Sequence, residues 1–82
     1  MKHAGPDALD QLEPLLVALR QVSRIREKNR GIFYRGSRAF LHFHEDGAGL
    51  FADVRLDTEF ERFRVTTTAE RARLLRLIQT RA

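Results

Sequence analysis

The amino-acid sequence predicts a two-layer α+β domain of the order α-β-β-β-β-α, in which both helices cover one face of an antiparallel sheet. Two stretches near the ends of the chain carry apolar residues at helical spacing, and residues 31–56 between them alternate apolar and polar side chains at the period of a β-strand. Turn-forming residues divide this alternating stretch at two points. Because the chain has 82 residues and only one of its sheet faces is apolar, we expect a single domain, residues 1–82, with both helices on that face.

The first helix is predicted to begin at Pro6, because proline suits the first helical turn, and residues 1–5 before it are expected to be disordered. Its apolar stripe consists of leucines at helical spacing: Leu9, Leu12, Leu16 and Leu19. Pro14 interrupts the stripe, and the hydrogen bond that proline removes predicts a kink or two short helices. The basic residues 23–30 are then predicted to form a connector.

Two turns set the register of the strands that follow. Gly36-Ser37 fits a two-residue hairpin loop and residues 46–49 fit a four-residue loop, so that Phe33 faces Phe40 across the first hairpin. One sheet face is then apolar throughout and is predicted to be core: Ile32, Tyr34, Ala39, Leu41, Phe43, Leu50, Ala52, Val54 and Leu56. The opposite face, here named the outer face, mixes aromatic, charged and histidine side chains: Phe33, Arg35, Arg38, Phe40, His42, His44, Phe51, Asp53 and Arg55.

A fourth strand and a second helix complete the predicted fold. The strand is predicted over residues 60–65, where apolar side chains alternate with arginines. Thr67 and Glu70 have the spacing of a capping box, in which a hydroxyl and a carboxylate each accept a hydrogen bond from the backbone at the start of a helix. The second helix is predicted to run from there to about Thr80 and to bury one face: Leu74, Leu75, Leu77 and Ile78.

Composition and charge exclude several classes of protein. No run approaches the roughly 18 apolar residues of a membrane span, and the absence of cysteine excludes a disulfide scaffold and a thiolate site. We therefore expect a cytoplasmic protein with no membrane partner and no cofactor. The net charge of +4 is unevenly distributed, because residues 20–38 and 62–82 are strongly basic while residues 39–61 are acidic. Such segments favour nucleic acid or acidic partners, or else they neighbour each other within the fold.

Part of the chain resembles the MmcQ/YjbR-like family of small bacterial proteins. The resemblance covers roughly residues 15–56, where a leucine-rich helix is followed by Glu27 and Gly31 before short strands, and then by Phe33 and Phe40. It implies a compact α/β fold similar to that of the frataxin-like bacterial proteins, and a DNA-binding activity. Residues 57–82 do not match the family, and the resemblance implies no site residue.

The outer face indicates how the protein acts. Three aromatic rings in contact approach the few hundred Å² of exposed apolar surface that usually mark an interaction site. Burying them against a second copy or another protein would supply the core that so short a chain lacks. We therefore predict a non-enzymatic interaction module, either a homodimer or a protein that docks a partner. Its predicted binding residues are Phe33, Arg35, Arg38, Phe40, His42, His44, Phe51 and Arg55.

Two other functions are compatible with the same face. Bases of a single-stranded nucleic acid could stack on the phenylalanines while arginines neutralise phosphate, although Asp53 opposes phosphate. A metal site would use His42 and His44, which project from one side of a strand, with Asp53 opposite His42. A structural hydrogen bond between Asp53 and His42 is the alternative to such a site. His3, near the N-terminus, is expected to take no part.

Overall fold

The computed structural model describes residues 1–81 of the chain. Two helices and six strands follow in the order β1 Lys2–His3, α1 Pro6–Leu19, β2 Arg26–Asn29, β3 Ile32–Arg35, β4 Arg38–Asp46, β5 Gly49–Arg55, β6 Phe60–Arg64 and α2 Thr68–Arg81. The strands form one antiparallel sheet in the order β2-β3-β4-β5-β6, and β1 pairs with β4 outside that path. The predicted α+β class with an antiparallel sheet is therefore confirmed.

The first helix, α1, begins at Pro6 as predicted and continues through Pro14 without a break. The predicted alternative of two short helices is therefore wrong. Pro14 lies on the exposed side of α1, where water can satisfy the carbonyl group that proline leaves without a helical donor. The opposite side of the helix is buried through five residues: Ala8, Leu12, Leu15, Leu16 and Leu19.

The second helix, α2, begins with the predicted capping box. Oε1 of Glu70 accepts a hydrogen bond from the backbone N–H of Thr67 at 3.0 Å, and Oγ1 of Thr67 accepts one from the backbone N–H of Glu70 at 3.1 Å. The two donors would otherwise have no helical partner. Leu74 and Ile78 are the buried residues of this helix. The helix start, which depends only on local chemistry, is therefore confirmed.

The second hairpin, β4–β5, has the predicted register. Its pairs run from Leu41 opposite Val54 to Glu45 opposite Leu50. The connecting turn is shorter than predicted, because Asp46 also pairs with Gly49 and leaves only residues 47–48 unpaired. The predicted fourth strand is present as β6, which pairs with β5 at the edge of the sheet.

Two strands of the structure, β1 and β2, are not predicted from the sequence. β1 lies within the segment expected to be disordered, and its His3 pairs with His44. β2 lies within the predicted connector and pairs with β3. The carboxylate of Glu27 supports β2, because it accepts a hydrogen bond from the backbone N–H of Gly31 at 2.8 Å across the turn that follows. Both strands are short and mostly exposed, so apolar alternation cannot reveal them.

One buried cluster joins both helices to the sheet. Its largest fully buried side chains come from α1, from β3 to β5, from the segment between β6 and α2, and from α2. In that order they are Leu12, Leu16, Leu19, Phe33, Phe40, Leu41, Val54, Val65 and Ile78. The predicted placement of both helices on one sheet face requires such a shared cluster, and the placement itself stays a prediction. Neither helix within residues 1–81 combines the length and the apolar character that crossing a membrane requires.

Candidate functional site

The first hairpin, β3–β4, departs from the predicted register at Phe40. Near the turn the pairing is as predicted, with Tyr34 opposite Ala39, but the next pair joins Phe33 to Leu41. Phe40 is therefore the extra residue of a β-bulge on β4. Side chains alternate between the two faces of a strand. One extra residue shifts this alternation, so the positions that would face the core before the bulge face solvent after it, and the reverse.

The bulge places Phe33 and Phe40 in the core, where 0% and 2% of each residue is exposed. The prediction that both rings lie on the outer face is therefore wrong. Conversely, Ile32, Tyr34 and Ala39, which were expected in the core, are only half-buried. The size of the rings explains the exchange, because burying a phenylalanine contributes about 1.5–3 kcal/mol. One backbone hydrogen bond, the bond that a bulge interrupts, contributes only about 1 kcal/mol.

Beyond the bulge, the outer face consists of side chains that alternate with the core residues of β4, β5 and β6. They are His42, His44, Phe51, Asp53, Arg55, Phe60, Arg62 and Arg64. Phe51, the third predicted ring, is half-buried, and Phe60 is 38% exposed. Phe60 and Arg62 are not among the binding residues predicted from the sequence. The alternation within residues 60–65 is the signal that could have found them.

Three of the predicted binding residues, Arg35, Arg38 and Arg55, lie around one surface cavity of about 300 Å³. We name it the arginine cavity, and the rest of its lining is Ala39, Phe40, Leu56 and Asp57. It is formed at one end of the strands, where β3 and β5 end and β4 begins. The bulge therefore does not separate the basic residues, although it removes the two rings from the surface.

Aromatic rings position two of these guanidinium groups. The Cζ atom of Arg35 lies 6.0 Å from the ring centroid of Phe40, and that of Arg55 lies 4.5 Å from the ring centroid of Phe60. A cation over an aromatic face is attracted to the ring, and the attraction does not neutralise its charge. The Nε atom of Arg55 is buried and donates no hydrogen bond within residues 1–81. The two positive charges remain available to a ligand.

Neighbouring arginines of the sheet are neutralised, in contrast to those of the arginine cavity. Arg62 donates two hydrogen bonds to Asp53, at 2.7 and 2.8 Å, and Arg64 donates one to Glu70 at 2.8 Å. Within residues 1–81, no carboxylate oxygen lies within 4.0 Å of a side-chain nitrogen of the three cavity arginines. The cavity therefore concentrates positive charge that the fold leaves without a partner.

Asp53 is buried, with 7% of the residue exposed. It pairs with His42 in the ladder, as predicted, but its side chain contacts Arg62 and His44 instead. Nδ1 of His44 lies 3.2 Å from Oδ2 of Asp53, within ion-pair distance but without the direction of a hydrogen bond. The hydrogen bonds from Arg62 hold the pKa of the Asp53 carboxyl below its usual range. The hydrogen bond predicted between Asp53 and His42 is therefore replaced by contacts with Arg62, which is directly opposite on β6, and with His44, which is diagonal to Asp53 on β4.

β1 brings a third histidine to the two on β4. The ring centroid of His3 lies 4.6 Å from that of His44 and 5.7 Å from that of His42, and the last two rings are 4.9 Å apart. One ring nitrogen from each histidine can be chosen so that all three lie within 4.8 Å of one another. We name these three residues the histidine cluster. His3 thus joins the other two, contrary to the expectation that it takes no part.

The environment of His42 and His44 favours neutral rings. Burial lowers the pKa of His42, and the adjacent His44 lowers it further; burial also lowers the pKa of His44 and outweighs the nearby Asp53. The Nδ1 atoms of both residues are buried without a hydrogen-bond partner within residues 1–81. A neutral imidazole keeps a lone pair on one nitrogen, which is the form that binds metal ions.

Comparison with protein-family models, with curated proteins and with solved structures finds no match for this chain. The resemblance to the MmcQ/YjbR-like family therefore stays a prediction. The functional interpretation depends on the two features that the structure assembles, the arginine cavity and the histidine cluster.

Proposed function

We propose that this protein is a small, non-enzymatic interaction module that forms a homodimer through the arginine cavity. The observation that carries the proposal is the convergence of three arginines without an ionic partner on one cavity. Arginine presents several donors in a rigid planar group, so it suits the recognition of carboxylates at an interface. A cytoplasmic location belongs to the same proposal, and the lack of cysteine supports it.

The segment that fits the cavity lies beside it in the same chain. Residues 57–61 are all exposed and contain three carboxylates, Asp57, Glu59 and Glu61. Within residues 1–81, none of these carboxylates has a basic nitrogen within 4.0 Å. Asp57 also borders the cavity, so the acidic and basic surfaces adjoin. In a two-fold dimer each copy offers the same surface, so the acidic segment of one copy can enter the cavity of the other, and the reverse.

Single-stranded nucleic acid is less favoured as the ligand. Stacking of bases requires exposed aromatic rings, whereas Phe33 and Phe40 are buried. Phe60 is exposed, but the guanidinium of Arg55 lies over its ring. The arginines could still hold phosphate groups, so nucleic-acid binding is an outcome that the experiment has to distinguish.

Light scattering coupled to size-exclusion chromatography tests the proposal. We expect a dimer at about 50 mM salt and dissociation at about 500 mM, since the Debye length falls and exposed charges are screened. A variant that combines Arg35→Glu with Arg38→Glu should be monomeric at both salt concentrations. Arg76→Glu introduces a carboxylate at an exposed position of α2 and should leave the dimer intact, which makes it the matched control.

A charge exchange identifies the two surfaces that meet. A variant that combines Glu59→Arg with Glu61→Arg should be monomeric alone, because basic groups would then face the basic cavity. Mixed with the Arg35→Glu, Arg38→Glu variant, it should form a heterodimer, since opposite charges then face each other at both halves of the interface. A wild-type chain that is monomeric at every concentration would overturn the proposal. Low-salt binding of single-stranded DNA that requires Arg35 and Arg38 would replace it with the nucleic-acid function.

A further inference from the structure

The histidine cluster consists of other residues than the proposed dimer surface, although the two adjoin at Phe60. The Phe60 ring lies 5.0 Å from the ring of His42 and 4.5 Å from Cζ of Arg55. At the far ends of the two sites, His44 follows Arg38 by six residues on β4, which is about 20 Å along the strand. The cluster joins two elements that are distant in the sequence, because His3 comes from β1 and the other two histidines come from β4. An account of the arginine cavity therefore leaves the cluster unexplained.

We propose that His3, His42 and His44 bind one divalent transition-metal ion, and that Zn²⁺ is the ion that fits best. Imidazole nitrogen is a preferred ligand of zinc, and three protein ligands with one open position form a recognised zinc geometry. The set contains no thiolate, which disfavours Cu⁺. It also contains no directly ligating carboxylate, which disfavours Mg²⁺ and Ca²⁺.

The distances are compatible with this ion after a small adjustment. Zinc binds histidine nitrogen at about 2.0–2.1 Å, so two nitrogens of a tetrahedral site lie about 3.4 Å apart. The ligand nitrogens of the cluster lie within 4.8 Å of one another. His3 is exposed on the two-residue strand β1, so rotation of its side chain can supply the closer approach. His42 and His44 are held by the sheet and supply the fixed part of the site.

The surroundings of the cluster support a cation ligand in two ways. Nδ1 of His44 lies 3.2 Å from the Asp53 carboxylate, and a carboxylate beside a ligating histidine orients the ring and raises its basicity. The buried Nδ1 atom of His42 has no hydrogen-bond partner within residues 1–81. Unsatisfied buried polar atoms are uncommon in folded proteins and call for an explanation such as a missing ion or water. Arg62, the basic residue nearest to Asp53 in the contacts above, is neutralised by that carboxylate.

A bound ion would connect β1 to β4. At present β1 is held by its ladder pairs, by the backbone hydrogen bond from Ala4 to Phe43 at 3.0 Å, and by the hydrogen bond from Gly5 to Glu45 at 2.6 Å. An ion bound by His3 on one strand and by two histidines on the other adds a link that the unfolded chain cannot make. Metal binding should therefore raise the melting temperature by mass action.

The experiment uses the untagged full-length chain, because a polyhistidine tag would bind zinc itself. After metal is removed by chelation and dialysis, calorimetric titration with Zn²⁺ should give one ion per chain. At a zinc concentration about 100 times Kd, the melting temperature should rise by roughly 10–20 °C. Mg²⁺ should give no rise, and Co²⁺ in place of zinc should show the intense visible absorption of a tetrahedral site.

Variants connect the binding to the cluster. His3→Ala should lower zinc affinity at least about tenfold, which is the usual effect of losing a ligand or its support, and should keep the metal-free circular dichroism spectrum. Lys2→Ala, on the same strand, is the matched control and should bind zinc like the wild type. His42→Gln should lose the thermal shift as well.

Less than half an ion per chain, or unchanged affinity in His3→Ala, would overturn the proposal. The Arg35→Glu, Arg38→Glu variant should keep full zinc binding, so failure of the dimer and failure of the metal site are distinguishable.

Discussion

The two hairpins that share β4 follow the rule of alternating side chains to different extents. In β4–β5 every pair from Leu41–Val54 to Glu45–Leu50 has the register that the turn predicts. In β3–β4 the predicted register holds only for the pairs next to the turn, and a bulge at Phe40 changes it. Both hairpins contain β4 and each turns over two residues, so the difference has to come from the side chains.

The side chains assigned to the outer face explain the difference. In β4–β5 they are polar or half-buried, as His42, His44 and Asp53 illustrate, so a change of register would bring charge and imidazole into the core. In β3–β4 they include Phe33 and Phe40, whose rings stabilise the fold far more when buried than when exposed. In a chain this small, the core is short of apolar groups. Alternation therefore predicts the register only where it agrees with burial of the largest side chains.

The largest expected effect tests whether Phe33 belongs to the core as fully as Phe43, its counterpart in the second hairpin. Both rings are buried, with 0% and 2% of the residue exposed, so Phe33→Ala and Phe43→Ala should each lower the free energy of unfolding by about 3–5 kcal/mol. Phe51→Ala removes a half-buried ring of the outer face and should cost about 1 kcal/mol. Urea unfolding at neutral pH measures all three.

The Phe33 result can contradict the bulge directly. If Phe33→Ala were as mild as Phe51→Ala, the ring would be exposed and the simple register would extend through both hairpins. Phe40→Ala gives a second check, since a buried Phe40 has to contribute to stability and not only to partner binding. A loss of about 3–5 kcal/mol is expected here as well.

The next effect concerns the glycines of the two turns. Gly49 has a φ of 140°, and a Cβ atom added there would meet the hydroxyl oxygen of Thr66, which accepts a hydrogen bond from the N–H of Leu50 at 2.9 Å. Gly49→Ala should therefore cost roughly 2–4 kcal/mol through backbone strain and collision together. Gly36 has a φ of 64° but nothing within 4 Å of its added Cβ. Gly36→Ala should cost only about 1–2 kcal/mol, from strain alone.

Thermal unfolding of the two alanine variants ranks them. Equal losses would mean that Thr66 moves away without cost, so that the second turn is no more constrained than the first. The double variant Gly49→Ala, Thr66→Ala separates the cost of the collision from the cost of backbone strain, because it removes the collision and keeps the strained φ.

The smallest expected effect concerns Glu27, which supports the β2–β3 edge of the first hairpin. Hydrogen bonds from Arg20, and then from the backbone of Gly31, hold the pKa of Glu27 below its ordinary value. A carboxyl whose pKa is lower in the folded state stabilises the fold above its ordinary pKa, and this contribution is lost as the pH falls through the folded-state pKa. Glu27→Gln should therefore cost about 1–3 kcal/mol at neutral pH.

Urea unfolding of wild type and Glu27→Gln across the acidic range checks the sign. The two free energies of unfolding should differ most near neutral pH and converge below the folded-state pKa. A difference that stays constant with pH would mean that Glu27 acts through its shape rather than its charge.

Several features of this protein follow from local patterns. The α+β class, the start of α2 at the Thr67–Glu70 capping box and the pairing of β4 with β5 depend on residues close together in the sequence. Alternation and the two turns also predict Arg35, Arg38 and Arg55 as binding residues, and this stays a prediction, whereas the cavity that they line is formed by the tertiary structure. The strands β1 and β2 could not be predicted, since two to four mostly exposed residues carry no periodic signal.

By itself, the sequence determined the two helices and the strands β3 to β6, where α2 begins and which residues of the second hairpin face each other. The tertiary structure decided the bulge at Phe40, the burial of Phe33 and the approach of His3 to the histidines of β4. The first group depends on hydrogen bonds and periodicities within a few residues. The second depends on competition for one small core and on pairing between segments about 40 residues apart, as in the hydrogen bond from Gly5 to Glu45. No local sequence pattern predicts the outcome of that competition, because its free energy depends on how all the side chains of the core pack together.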